Sequence, residues 1–330
     1  MTNKKNIHNK KLNEKENEDT NEGSSNPQNM ESIMEEILEI LNIKTSYNQR
    51  LSEIDNIINQ IDTNFPILNL TLLSPTLNYK QTSFLITPKG LQNSKRGRKD
   101  GIVLFGYERK NKNNNNINNL SAESNNNNIE EISEDFLLND FIFPIEEKEN
   151  NNSLYEFPNF AIYFNTKDKK YYIKDFNTGV GALMKIKEYK IEGNTLINIG
   201  TNYLVVNLEK NKIIIKIFNH SILENNNNKE QKGKKCDIQE FMIENNKNKI
   251  ITIGRSVKCD IIIEDVMLSK IHSCIEYKAK EKSFYLYDGD NKKESTNGTW
   301  VFILNPIQIT DNFAFKAEHT LFVANLSNNK

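Results

Sequence analysis

The stretch LSKIHSCIEY, residues 268–277, changes character halfway along. From Ser273 to Tyr277 it alternates with the two-residue period of a half-buried strand. Before that it gathers Ser269, Lys270 and His272, side chains that donate hydrogen bonds rather than fill a core. A strand entered through a polar loop is the reading this forces.

The neighbouring sequence repeats the pattern. Upstream, ITIGRS (251–256) is a strand run closed by Gly254-Arg255, and DIIIED (260–265) is another run. Downstream, SFYLYD (283–288) leads to STNGTWV (295–301), in which Asn297-Gly298 marks a tight turn. Similar short runs occur at SFLIT, GIVLFGY, FAIYF, KYYIKDF, LINIG, YLVVNL, KIIIKIF and TLFVANL. Many short strands separated by turn signals predict an all-β sandwich architecture.

The runs also recur in order. IEGN at 191–194 and YLVVNL at 203–208 return as ITDN at 309–312 and LFVANL at 321–326, at one spacing of 118 residues. The distance from Ile162 to Asp175 equals that from Ile275 to Asp288. The chain is therefore expected to hold a duplicated domain, with copies at 78–210 and 211–326 and an asparagine-rich, acidic insert at 109–153 in the first.

In the second copy, Arg255, Ser269, Lys270, Thr296 and Asn297 all fall in loops, and the loops of a sandwich gather at its ends. Together they offer a guanidinium, an ammonium, hydroxyls and an amide, the donors a phosphate dianion requires. In order and spacing, the GR, SxxH and NG blocks resemble the forkhead-associated (FHA) domain over about 212–326. The resemblance implies a β-sandwich that binds phosphothreonine through those loops. It implies that Ser269 and Lys270 hold phosphate, that Arg255 contacts phosphate and peptide backbone, and that Thr296 and Asn297 do the same. Gly254, His272 and Gly298 take structural roles, and Met267 helps select the ligand's side chains. Lys270 departs from the commoner Arg and gives up bidentate geometry.

On the same resemblance the first copy is degenerate: Tyr107 stands for Arg255, Glu156 for Ser269, Asn159 for His272 and Val180 for Asn297. A carboxylate at Glu156 repels phosphate, so this copy is expected to be structural.

Ahead of both copies, a tail at 1–29 is too polar to bury a core and is expected to be disordered. Ile33, Ile37, Ile40, Tyr47, Leu51, Ile54, Ile58 and Ile61 follow at heptad spacing and predict one amphipathic helix over 30–65. This helix either packs on its own protein or forms a coiled coil, which admits a homodimer through residues 31–62.

Balanced charge, with 43 basic and 44 acidic residues, argues against nucleic-acid or anionic-membrane partners. Cys236, Cys259 and Cys274 lack metal or disulfide spacing, and the four histidines are scattered, so neither cofactor nor catalysis is expected. With no secretory pattern at the start, an intracellular place is predicted, cytoplasmic or nuclear. SKRGRK at 94–99 reads as a solvated loop, with a nuclear signal as its rival. The whole predicts an adaptor for a threonine-phosphorylated protein; the alternative is a scaffold making phosphate-independent contacts.

Overall fold

Which partners the strands choose, more than where they lie, sets the architecture. The computed structural model describes residues 27–59, 65–73, 83–94, 99–107, 139–143, 158–178, 181–210, 212–218, 237–243, 247–290, 292–317 and 320–328. The tail up to residue 26, all of the 109–153 insert except 139–143, residues 95–98, Glu156, Val180 and Cys236 lie outside them.

Two helices come first, α1 (Pro27–Ile40) and α2 (Tyr47–Asn59). The single helix expected over 30–65 is thus broken, and local chemistry explains the break. Asn42 takes φ 57°, while the Ile43 amide donates to Leu38 O at 2.8 Å and the Asn42 amide to Glu39 O at 2.9 Å. These are the paired bonds of a left-handed helix stop. Ser46 then caps the second helix, its Oγ accepting the Gln49 amide at 3.3 Å.

The heptad residues do not wait for a second chain. Ile37, Tyr47 and Ile54 are buried, with Ile37 and Tyr47 packed beside Ile102, Leu104 and Tyr163. Arg50, only 1% exposed, donates through Nε to Asp100 O at 2.7 Å and through Nη2 to Phe164 O at 2.9 Å. Those bonds satisfy a buried cation and pin α2 to the β-structure. Of the seam expected to carry a homodimer, Ile37, Tyr47 and Ile54 are buried within the chain, and Ile33, Ile40, Leu51 and Ile58 are half-buried.

Strands β1 (Pro66–Leu72), β2 (Ser83–Thr87), β3 (Gly90–Leu91), β4 (Ile102–Tyr107), β5 (Phe141–Phe143), β6 (Phe160–Asn165) and β7 (Lys170–Asp175) follow. Next come β8 (Ala182–Ile186), β9 (Glu188–Ile191), β10 (Thr195–Ile199), β11 (Asn202–Glu209), β12 (Lys212–Phe218) and β13 (Asp237–Met242). The last group is β14 (Lys249–Gly254), β15 (Ile261–Ile262), β16 (Ser273–Lys278), β17 (Ser283–Asp288), β18 (Thr299–Phe302), β19 (Ile307–Gln308), β20 (Phe313–Ala317) and β21 (Thr320–Asn328).

They form an 11-stranded sheet, β13-β12-β11-β10-β18-β8-β20-β21-β1-β2-β3, and two 5-stranded sheets, β15-β14-β16-β17-β9 and β19-β7-β6-β4-β5. The two smaller sheets share a pairing plan. Gly106 faces Ile142 in a parallel pair as Gly254 faces Ile262, and Phe160 faces Asp175 as Ser273 faces Asp288.

The late strands cross over. β9 completes the sheet of β17, with Tyr189 opposite Leu286, while β19 completes the sheet of β7, with Ile307 opposite Ile173. In the large sheet β11 pairs with β12 and β21 with β1. The boundary expected at 210/211 falls between β11 and β12, which pair directly, Glu209 opposite Lys212. At the middle, β8 and β18 pair antiparallel, Met184 opposite Val301, and join the two parts of the 11-stranded sheet.

Side chains alternate inward along these strands, so Ile213, Ile215, Leu204 and Val206 are buried. Aromatic rings knit the other half: Phe315 stacks on Phe322 at 4.7 Å, and Phe160 meets Phe315 edge-on at 5.7 Å.

Candidate phosphate-binding loops

Three loops meet at one rim, and backbone contacts hold them there. Gly254 ends β14 against the loop before β16, where a Cβ would lie 2.4 Å from Lys270 O. No larger residue fits that approach. The Arg255 amide donates to Ser269 O at 3.2 Å and the Ser256 amide to Lys270 O at 3.1 Å. These bonds bring Arg255 beside Ser269 and Lys270.

The third loop joins through side chains. Ser269 Oγ accepts the Thr296 amide at 3.1 Å and lies 3.3 Å from Thr296 Oγ1. Asn297 Nδ2 donates to Met267 O at 2.7 Å. Arg255, Lys270, Thr296 and Asn297 are exposed and Ser269 is half-buried. Neither the Arg255 guanidinium nor the Lys270 ammonium has a carboxylate partner among the described residues.

His272 is fully buried behind them and ties two loops together. Its Nδ1 accepts the Ser269 amide at 3.1 Å, and its Nε2 lies 3.1 Å from Gly298 O. A carbonyl can only accept, so the proton sits on Nε2 and the ring is neutral. Burial lowers its pKa below the ordinary value, despite the opposing pull of Gly298 O and Asp288. Because Nδ1 faces the Ser269 amide rather than its hydroxyl, the ring is not placed as a base for Ser269.

A further set of residues escaped the sequence reading. Buried Ser295 donates Oγ to Asp288 Oδ1 at 2.7 Å and accepts the Gly298 amide at 2.9 Å. Thr299 Oγ1 donates to the same Asp288 oxygen at 2.8 Å. The turn can therefore hold Gly298 at φ 78°, a conformation suited to glycine. A serine three residues before that glycine was the available signal.

Asp265 was missed too. Its Oδ2 accepts the Thr201 amide at 3.0 Å, Thr201 Oγ1 at 2.9 Å and Asn202 Nδ2 at 2.8 Å, while Oδ1 takes the Met267 amide at 2.8 Å. The β10–β11 turn thereby braces the loop that carries Met267 and Ser269. Burial works against this carboxylate's charge, yet the bonds from Thr201 and Met267 hold its pKa below the ordinary value.

At the corresponding rim of β4 and β5, Tyr107 occupies the register position of Arg255, and its ring lies 5.8 Å from Phe143. Asn159 takes the place of His272: its amide donates to Phe105 O at 2.7 Å, as the His272 amide does to Ile253 O at 2.8 Å. The described part of that rim thus lacks the guanidinium and the imidazole of the other.

Burial pushes the Cys274 thiol up to about 11, which makes it a poor nucleophile. No described helix is long and apolar enough to cross a membrane. No curated protein and no solved structure matches the chain. Residues 251–316, which carry Gly254-Arg255, Ser269 to His272 and Thr296 to Gly298, match the family model of the FHA domain, a phosphothreonine-binding interaction module.

Proposed function

We propose that the chain is an interaction adaptor whose loops around Ser269 bind phosphothreonine in a partner protein. The observation that carries this is that backbone bonds set Arg255 beside Ser269 and Lys270, with Ser269 bonded to Thr296 and Asn297 to Met267 O, while both cations are exposed and without a carboxylate partner among the described residues. A phosphate of about −1.5 to −2 charge accepts several charge-assisted bonds from such a set. Arg255, Ser269 and Lys270 hold its oxygens; Thr296 and Asn297 hold phosphate and peptide backbone.

Apolar residues around the rim support a peptide ligand over a free anion. Val266, 93% exposed, and the exposed Met267 follow one another just before Ser269, where Met267 contacts ligand side chains. The copy at 78–210 is an FHA-like module related by duplication to the one at 211–326, and β19, β20 and β21 take the places in it that β9, β10 and β11 would fill. Tyr107 leaves the described part of that module without the matching guanidinium and Asn159 leaves it without the imidazole that ties the loops, so its role is structural.

Calorimetry with a phosphothreonine peptide and its unphosphorylated twin tests the proposal. Each charge-assisted bond contributes roughly 1.5–3 kcal/mol, so Arg255→Ala or Ser269→Ala weakens binding on the order of ten- to a hundred-fold. Equal affinity for both peptides, unchanged by either substitution, would instead favour a phosphate-independent scaffold.

A further inference from the structure

A sheet edge invites pairing unless it is short, charged or covered. Among the described residues the edges of the three sheets are β13 and β3, β15 and β9, and β19 and β5. β3, β15 and β19 are two residues long and β5 three, while β9, four long, carries Glu188 and Lys190 in ion pairs. β13 is the exception: six residues, Asp237–Met242, with Ile238 54% and Met242 62% exposed.

Its pairing with β12 fixes which way each side chain faces, because residues opposite one another across an antiparallel pair share a face. Ile213, Ile215 and Ile217 are buried, so their partners Phe241, Gln239 and Asp237 lie on the inner face. Ile238, Glu240 and Met242, opposite Lys216, Ile214 and Lys212, lie on the outer one. Of these three only Glu240 is charged, and the Lys212 ammonium holds it at 3.0 Å. The charge that would guard this edge is thereby neutralised.

We infer that β13 pairs with the β13 of a second copy of the chain, antiparallel about a two-fold axis through Glu240. An isologous contact must be its own complement, and the outer face of this strand is so in one register. With the axis at Glu240, Ile238 of each copy stands opposite Met242 of the other, and Gln239 opposite Phe241. Moving the axis to Gln239 sets Ile238 against Glu240, and moving it to Phe241 sets Met242 against Glu240. An axis between two residues would set inner side chains opposite outer ones. The two Glu240 carboxylates face each other across the axis, a repulsion that each copy's own Lys212 offsets. The pairing does not depend on the phosphothreonine reading; where that reading holds, the dimer presents two sets of loops to one doubly phosphorylated partner.

Sedimentation of the full chain from about 1 to 300 µM should show a monomer–dimer equilibrium. Amide exchange in residues 237–242 should slow over the same range. Ile238→Lys removes both Ile–Met pairs and sets a lysine on the edge, so it should raise the dimer Kd by about tenfold or more while Tm stays unchanged. Glu240→Gln removes the like-charge pair and should lower Kd by about two- to fivefold. Leu73→Lys, at a residue 52% exposed and away from β13, should leave Kd as it is. A monomer throughout the range overturns the inference. So does a dimer that Ile238→Lys leaves intact, that Glu240→Gln weakens, or that Leu73→Lys weakens as much as Ile238→Lys. Exchange on the unmodified chain decides the matter even where a variant fails to fold: a dimer without added protection in 237–242 overturns the inference as well.

Discussion

Replacing His272 by alanine separates loop support from ligand contact. The imidazole is fully buried and bridges the Ser269 amide to Gly298 O, so its removal orphans a donor and an acceptor. Each orphan costs roughly 1–3 kcal/mol, and the cavity adds to that, for a total of about 3–5 kcal/mol. At about 2–4 °C per kcal/mol, Tm should fall by about 10 °C. Phosphopeptide binding should weaken through loop disorder, whereas Arg255→Ala should weaken binding with Tm almost unchanged.

The same residue gives a pH signature. Its folded-state pKa lies below the ordinary value, so at mildly acidic pH the unfolded chain binds the extra proton. The stabilisation is complete above about pH 6.5 and is lost as pH falls from there through the lowered folded pKa. His272→Gln, which keeps a donor and an acceptor but cannot titrate there, should flatten this part of the profile. Thermal unfolding between about pH 5 and 8 reads both effects. A Tm drop below about 2 °C for the alanine variant, or identical pH slopes for wild type and His272→Gln, would refute the bridging role.

Ser295→Ala should cost roughly 1–3 kcal/mol in urea unfolding, because the Gly298 amide and Asp288 lose a buried partner, and should also lower phosphopeptide affinity. Retained affinity would show that the turn holds without it. Asp265→Ala should reduce phosphopeptide affinity several-fold although it lies outside the donor set, since it frees the Met267 amide from the β10–β11 turn. Calorimetry reporting wild-type affinity would remove the brace.

The geometry of the three candidate loops was legible because everything that places them lies within one local run. Gly254, Ser269, His272 and Gly298 carry their geometric reasons in their residue types: a close backbone approach, a small acceptor, a two-ended imidazole and a positive φ. The helix break was written in Asn42 and Ser46, but the heptad period of the isoleucines passes over both and outweighs them in a pattern reading. The crossing of the late strands was not legible for a deeper reason. YLVVNL and LFVANL present nearly the same alternating face, so periodicity cannot say whether β11 should lie beside β1 or β12. The short connection between β11 and β12 favours the adjacent strand, and β21 is left to cover β1. Ser295 was invisible because its importance comes from burial and neighbours, which single-residue chemistry does not reveal.

The crossed pairing also governs how the molecule comes apart. β9, β10 and β11 complete sheets around the loops that carry Arg255, Ser269 and Asn297, while β20 and β21 return to cover β1 and β8. Melting either half therefore strips neighbours from the other, and the described chain should denature in one calorimetric transition where two beads on a string would show two. Ligand affinity then spreads by mass action over the whole cooperative unit. A phosphopeptide docked on Ser269 should slow amide exchange even in α1 and β1, whose strand and helix contacts never touch it.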